Sequence, residues 1–262
     1  MKTDFHCHIL PGLDDGAQDI GESLFLSCKQ VEWGYTDAVC VVHSAFRYRN
    51  NPDTVLRACD TLYEALQEEN IKLSLHPSME YRIIPDVWTE VRENKWWLPW
   101  YGNHILVEFP IRSREFFGEL DPFAEVKKVL DDGYQPVLAH PERYHYMDME
   151  ELSRLHDLGC EFQMNIGAVL GFYDEETKQR ALFMKEEGWY GFEGTDLHNK
   201  KYADFYDRVF HVSETEYLMK SPETGDCLNE ETMKVIQDMR SGKEPVYEMK
   251  SIDEFKKWCE SL

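Results

Sequence analysis

His6-Cys7-His8, near the start of the chain, places two imidazoles two residues apart on an apolar stretch with Phe5, Ile9 and Leu10. A strand's period of two points both rings to one face, which is half of a metal site. Further ligand-type side chains recur where later strand-like runs end: Asp14, His43, Glu80, Glu108, His140, and Asp196 with His198. Imidazoles mixed with carboxylates suit Mn²⁺, Fe²⁺ or Zn²⁺, while the lack of a Cys-x-x-Cys pair argues against a structural zinc cage. Nine ligands are too many for one ion. Two or three ions with one bridging carboxylate would set a metal-bound hydroxide opposite a substrate oxygen, as in-line phosphoryl or acyl hydrolysis requires.

The elements that must position these groups alternate between short β-branched runs and stretches of helical spacing, the pattern of a parallel α/β architecture. Seven strands are expected, at Asp4 to Leu10, Ala38 to His43, Leu73 to Ile83, Ile105 to Phe109, Pro136 to His140, Phe162 to Ile166 and Tyr190 to Thr195. Helices are expected at Ser23 to Trp33, Asp53 to Glu69, Phe123 to Asp132, Glu150 to Leu158 and Glu175 to Glu187. Four of them stop at a glycine, Gly34, Gly133, Gly159 or Gly188, the residue that most readily adopts a left-handed cap. The crossover Val87 to Trp100 is less regular and ends in Trp96, Trp97, Trp100 and Tyr101, read as packing. In α/β barrels reactive groups gather at the carboxyl ends of strands, and the nine candidates fall there. Beyond about Val212 the pattern fades. Residues 1–212 are therefore expected to form the catalytic barrel, and 213–262 an appendage with helical pieces at Glu231 to Met239 and Ile252 to Leu262.

A formal net charge of −22 would repel a phosphate backbone, so nucleic acid is not expected as a substrate. No run approaches the roughly 20 apolar residues of a membrane helix. A start that goes directly into a strand and seven scattered cysteines point to a reducing cytoplasm.

The opening His6-Cys7-His8-Ile9-Leu10-Pro11-Gly12-Leu13-Asp14-Asp15-Gly16 resembles a known pattern, His-x-His-Leu-Leu-Pro-Gly-x-Asp-Asp-Gly. It belongs to the polymerase-and-histidinol-phosphatase (PHP) superfamily, in the branch of bacterial capsule-associated, metal-dependent protein tyrosine phosphatases. Leu138-Ala139-His140-Pro141-Glu142-Arg143-Tyr144, Phe162-Gln163-Met164-Asn165 and Gly194-Thr195-Asp196-Leu197-His198-Asn199 are similar as well. The resemblance spans roughly the first 200 residues and implies a distorted seven-stranded β/α (TIM-like) barrel of PHP type.

It further implies three ions, most simply Mn²⁺, with Fe²⁺, Zn²⁺ or Mg²⁺ as substitutes. His6, His8, Glu80 and Asp196 would hold the first; Glu80, Glu108 and His140 the second; Asp14, His43 and His198 the third. Arg143 would reach the phosphate, because a guanidinium fork matches phosphate oxygens in a way lysine does not. The chain departs from the pattern at Val41-Val42-His43, where the branch has Thr-Pro-His, and at Lys200 and Lys201, where an arginine is expected.

The implied activity is hydrolysis of protein phosphotyrosine, plausibly on a bacterial tyrosine kinase of polysaccharide export. The alternatives are a small-molecule phosphatase of the histidinol phosphate type and a metal-binding regulatory protein without turnover. A cysteine-type phosphatase is not expected, because no cysteine has an arginine six positions on; Arg47 lies seven beyond Cys40. Cys7 should face away from its histidine neighbours. His76, His104, His145, His156 and His211 are read as structural or surface residues.

Overall fold

The computed structural model describes residues 2–44 and 48–219, with backbone only for 211–219. Among the described residues, the paired strands run parallel. A three-stranded sheet is ordered β1 (Thr3–Cys7), β2 (Asp37–Cys40), β4 (Ser74–Pro77). A six-stranded sheet runs β3 (His43–Ser44), β5 (Glu80–Arg82), β6 (His104–Glu108), β7 (Gln135–Ala139), β8 (Glu161–Asn165), β9 (Tyr190–Gly194).

The seven expected runs thus occupy nine segments. The second and third runs each break where they leave the smaller sheet for the larger, at Val41-Val42 and Ser78-Met79. Hydrogen bonds cross both breaks: the Val41 N–H donates to Cys7 O and the Glu80 N–H to Val42 O, each at 2.9 Å. β1 also lies beside the end of β9, with the His8 N–H donating to Leu197 O at 2.8 Å and the Asp196 N–H to His6 O at 2.7 Å.

Helices return the chain between strands, and local chemistry sets their ends. Asp19 caps α1 (Ile20–Glu32) by accepting from the Glu22 N–H. Asn51 and Thr54 form a reciprocal capping box on α2 (Pro52–Glu68), as Asp148 and Glu151 do on α5 (Met149–Asp157). Asp121 caps α4 (Pro122–Asp131) and Asp174 caps α7 (Glu175–Glu186). Gly34, Gly133, Gly159 and Gly188, just past four of these ends, all have positive φ, as a left-handed stop requires. The irregular crossover contains α3 (Pro85–Asn94). Two helices have no counterpart in the sequence reading: α6 (Ile166–Leu170), too short to show a period, and α8 (Lys200–Met219). The expected pieces Glu231 to Met239 and Ile252 to Leu262 lie outside the described residues.

Strands such as β2, β6 and β7 bury both faces, so alternate residues enter different apolar clusters, whereas β4 and β9 expose alternate residues. Ala38, Cys40, Ile105, Val107 and Leu138 join Cys7 and the helices' Leu26, Leu62, Leu66, Val126, Leu152 and Leu155. Their neighbours Val39, Val41, Leu106, Val137 and Ala139 form a smaller cluster with Phe5, Trp100 and Phe192 against it. The aromatic run divides between the two, Trp96 and Trp97 packing on the larger and Trp100 on the smaller, while Tyr101 is exposed. Contacts divide the chain at Val209/Phe210, and the site lies within Met1–Val209.

Candidate metal centre

Strand ends bring all nine expected ligands together. His6 on β1 and His8 just past it face the same way, their Nε2 atoms 3.0 Å apart. Two glycines let neighbouring backbone close on this segment: a Cβ on Gly194 would meet His6 Cβ and N, and one on Gly16 would meet His8 O and Cβ. Cys7, between the histidines, turns into the larger apolar cluster, and its thiol donates to Val39 O. Burial pushes that thiol well above its usual value. The Cys7 thiol faces away from the histidine cluster.

Glu80, fully buried at the start of β5, stands at the middle of the group. Its Oε2 is 2.9 Å from His43 Nδ1, 3.4 Å from His8 Nε2 and 3.6 Å from His6 Nε2. Yet that oxygen makes no hydrogen bond among the described residues, and neither does His43 Nδ1. Glu80 Oε1 faces His140 Nε2 at 3.1 Å, and Glu108 Oε2 lies 3.8 Å from His43 Nδ1. Buried polar atoms such as Glu80 Oε2 and His43 Nδ1, which converge without a hydrogen bond among the described residues, are what a cation needs and what a protein interior otherwise avoids. Compatible sets of three recur in the cluster: His8, His43 and His198; His6, His8 and Asp196; His6, Glu80 and His140; His43, Glu80 and Glu108; Asp14, Asp15 and His43. The donors present therefore fit divalent metal binding.

The outer contacts fix these donors. His6 Nδ1 meets Gln163 Oε1 at 2.8 Å, which leaves Nε2 for the centre. Asp14 Oδ2 takes His8 Nδ1 at 2.8 Å and the His43 N–H at 2.9 Å, while its Oδ1 accepts from the Gly16 N–H. Asp196 divides its oxygens. Oδ2 accepts from Arg143 Nη1 at 3.1 Å, Asn165 Nδ2 at 2.9 Å and the Tyr173 hydroxyl at 3.3 Å; Oδ1 faces His6, His8 and His198 at 3.4 to 3.6 Å. Asp196 and His140 both sit in the left-handed region, with φ of 53° and 35°, conformations that cost energy in an ordinary residue and gather at functional sites.

Burial opposes charging every imidazole here, but carboxylates reverse it for three of them: Glu80 and Asp196 raise His6, Asp14 and Glu80 raise His8, and Glu80 raises His43. His198 goes the other way, pushed down to about 4 by burial and by His8, and burial with Arg143 lowers His140. Burial would lift Asp14, Glu80 and Asp196, yet the surrounding imidazoles hold all three well below the usual carboxylate range.

Arg143 lies beside the ligands rather than among them. Its guanidinium stacks 4.7 Å over the Tyr173 ring and keeps 22% of the side chain exposed. Lys200 pairs with Asp204 on the surface, and Lys201 lies over Phe172. The sequence reading missed Asp15, whose Oδ1 is 3.4 Å from His43 Nε2, although it adjoins Asp14. It also gave no role to Gln163, Asn165, Tyr173 or Arg82, which hydrogen-bond His6, Asp196, Asp196 and Glu108 respectively. His76, His104 and His145 pair with Asp37, Glu161 and Thr177 away from this group, and His156 stacks on Trp189; the side chain of His211 lies outside the described set.

Residues 2–208 match the family model for capsular polysaccharide synthesis proteins, CpsB/CapC. The tyrosine-protein phosphatase YwqE of Bacillus subtilis is 32% identical over 225 residues, covering 83% of each chain. The tyrosine-protein phosphatase CpsB of Streptococcus agalactiae is 25% identical over 210 residues, covering 75% of this chain and 82% of that one. Among solved structures, the work on YwqE from Bacillus subtilis and CpsB from Streptococcus pneumoniae, described as metal-dependent tyrosine phosphatases, supplies a match of TM-score 0.69. It is 25% identical and covers 94% of this chain and 97% of the other. A match over nearly the whole of Met1–Val209 places the chain in the CpsB/CapC family of capsular polysaccharide synthesis proteins.

Proposed function

We propose that this chain is a metal-dependent phosphomonoesterase that hydrolyses protein phosphotyrosine, on a distorted seven-stranded β/α barrel with residues 213–262 as an appendage. One observation carries the site: the buried Glu80 carboxylate, with an oxygen that no hydrogen bond satisfies among the described residues, inside a ring of imidazoles. The hydrogen bonds that tie β1 to the end of β9 support the barrel, and relatives named as tyrosine phosphatases support the substrate.

Three ions, most simply Mn²⁺, would divide the donors. His6, His8, Glu80 and Asp196 would hold one; Glu80, Glu108 and His140 a second; Asp14, His43 and His198 a third. When bound, such ions supply positive charge for the phosphoryl oxygens and a water acidic enough to attack phosphorus. The chain's own residues do the rest. Gln163 and Asp14 fix the His6 and His8 rings, so that each offers Nε2. Asn165 and Tyr173 hold Asp196 by one oxygen and turn the other inward. Arg143, anchored on Asp196 and braced by Tyr173, offers the rest of its fork to the phosphate of an incoming side chain.

No helix among the described residues is long and apolar enough to cross a membrane. Action in the cytoplasm, on the phosphorylated tyrosines of a kinase that governs polysaccharide export, completes the reading. The test compares phosphate release from a phosphotyrosine peptide, a phosphoserine peptide and histidinol phosphate by the ion-loaded protein. Preference for phosphotyrosine by tenfold or more in kcat/KM is expected. Preference for histidinol phosphate would make the protein a small-molecule phosphatase, and inactivity on all three would favour a regulatory role.

A further inference from the structure

Arg82 ends β5 two residues beyond Glu80, so strand parity puts both on one face. Tyr81 turns to the other, where its hydroxyl donates to Trp96 O and accepts from the Leu98 N–H. In the parallel pair of β5 with β6 the residue opposite Arg82 is Glu108. Register therefore brings the two side chains together, and the guanidinium meets Glu108 Oε2 with both Nε and Nη2. The root of the arginine is fixed as well, since its N–H donates to Ser44 Oγ at 3.0 Å.

The partners of Glu108 differ from those of the other carboxylates in the cluster. Glu80 is ringed by imidazoles, Asp14 is held by His8 and two backbone N–H groups, and Asp196 has Arg143, Asn165 and Tyr173. Glu108 has its closest imidazole nitrogen, His43 Nδ1, at 3.8 Å. Among the described residues, Arg82 is the side chain that hydrogen-bonds it. With only 2% of the Glu108 side chain exposed, water cannot take the arginine's place, and a buried carboxylate without a donor is unstable where it stands.

We propose that Arg82 is a positioning residue of the metal centre: its fork clamps Glu108 through Oε2 and locks that carboxylate in the orientation from which it holds an ion. The inference rests on reading the cluster as a metal centre, and it says nothing about which ester is cleaved. A lysine would supply the charge without the fork, so it would hold the carboxylate less firmly.

The test is a calorimetric titration of Mn²⁺ into the metal-free, full-length protein and its Arg82→Met and Arg82→Lys variants. Far-UV circular dichroism and the Tm of each metal-free protein are recorded alongside. Arg82→Met is expected to weaken at least one ion site by about tenfold to a hundredfold, and Arg82→Lys by less, with the fold retained. With ions at saturation, kcat should recover towards wild type while KM for a phosphotyrosine peptide stays the same. Wild-type ion affinity in Arg82→Met would overturn the proposal, as would wild-type affinity in Arg82→Lys should the methionine variant not fold. A lower Tm with unchanged ion affinity would show a role in the fold alone. Unchanged ion affinity with a raised KM and weaker inhibition by inorganic phosphate would make Arg82 a phosphate-binding group instead. If wild-type protein ignored phosphotyrosine altogether, the functional reading would fail and the titration would still decide the role of Arg82.

Discussion

At their carboxyl ends the strands gather His6, His8, Glu80, Glu108, His140 and Asp196, all but sealed from solvent; below them lie Val39, Val41, Leu106, Val137 and Ala139, with Phe5, Trp100 and Phe192 beneath. The lower region gains stability by excluding water from apolar surface. The upper region buries ionisable groups and, among the described residues, leaves the Glu80 Oε2 and His43 Nδ1 atoms without hydrogen bonds, which costs stability in the absence of a ligand. The same strands therefore serve two purposes at two levels. Ion affinity should separate substitutions at one level from those at the other.

The largest effect is expected from Glu80→Gln, which keeps the shape and removes the charge on which four imidazoles converge. Losing several kcal/mol of charge stabilisation corresponds to a fall of about a thousandfold or more in kcat/KM. The variant should bind fewer ions, and it should also lose the metal-free stability that the pairing of Glu80 with these imidazoles supplies. Wild-type ion binding in Glu80→Gln would show that Glu80 is not a ligand.

At the lower level Trp100→Ala should spare the ions. Deleting this half-buried ring should cost about 3 kcal/mol, the low end for a tryptophan, measured by urea unfolding. Ion affinity should stay within about twofold. A large drop in ion affinity would show that the two levels are coupled.

Arg143→Lys should keep ions and fold but replace a fork with a point charge, lowering kcat/KM by about tenfold to a hundredfold. Unchanged efficiency in Arg143→Ala would mean that ions alone hold the phosphate.

A smaller effect concerns pH. In the metal-free protein His6, His8 and His43 have raised values, so the folded chain binds protons that the unfolded chain has released. The stability they add is full below the ordinary imidazole value of about 6.5 and is lost as pH rises through their folded values. His140 and His198, shifted down, act only below that window, and Asp14 and Asp196, shifted down, lose their contribution only in stronger acid. The Tm of metal-free protein should therefore fall as pH rises above about 6.5, and saturating Mn²⁺ should remove the fall because ions replace the protons. Identical curves with and without Mn²⁺ would contradict this.

What the sequence could reveal follows the same division. Ligand types at strand ends stood out because His-x-His and the later carboxylates interrupt apolar runs, and period-two parity put His6 and His8 together. Glycine stops marked helix ends for the same reason, since a left-handed residue has a residue-type signature. Groups that act through a neighbour leave no such trace. Arg82 reaches Glu108 only by cross-strand register, and Gln163 and Asn165 look like any polar residues in a strand until His6 and Asp196 are beside them. The break at Val41-Val42 was hidden because an apolar run continues while the chain changes sheet.

The central claim is that ions held at the carboxyl ends carry the hydrolysis, and titrating Mn²⁺ into metal-free protein while following phosphate release from a phosphotyrosine peptide tests it most directly. Activity should be absent at the start, rise with added ion, and level off at two or three equivalents per chain. Full activity in protein shown by elemental analysis to contain no metal would contradict the account.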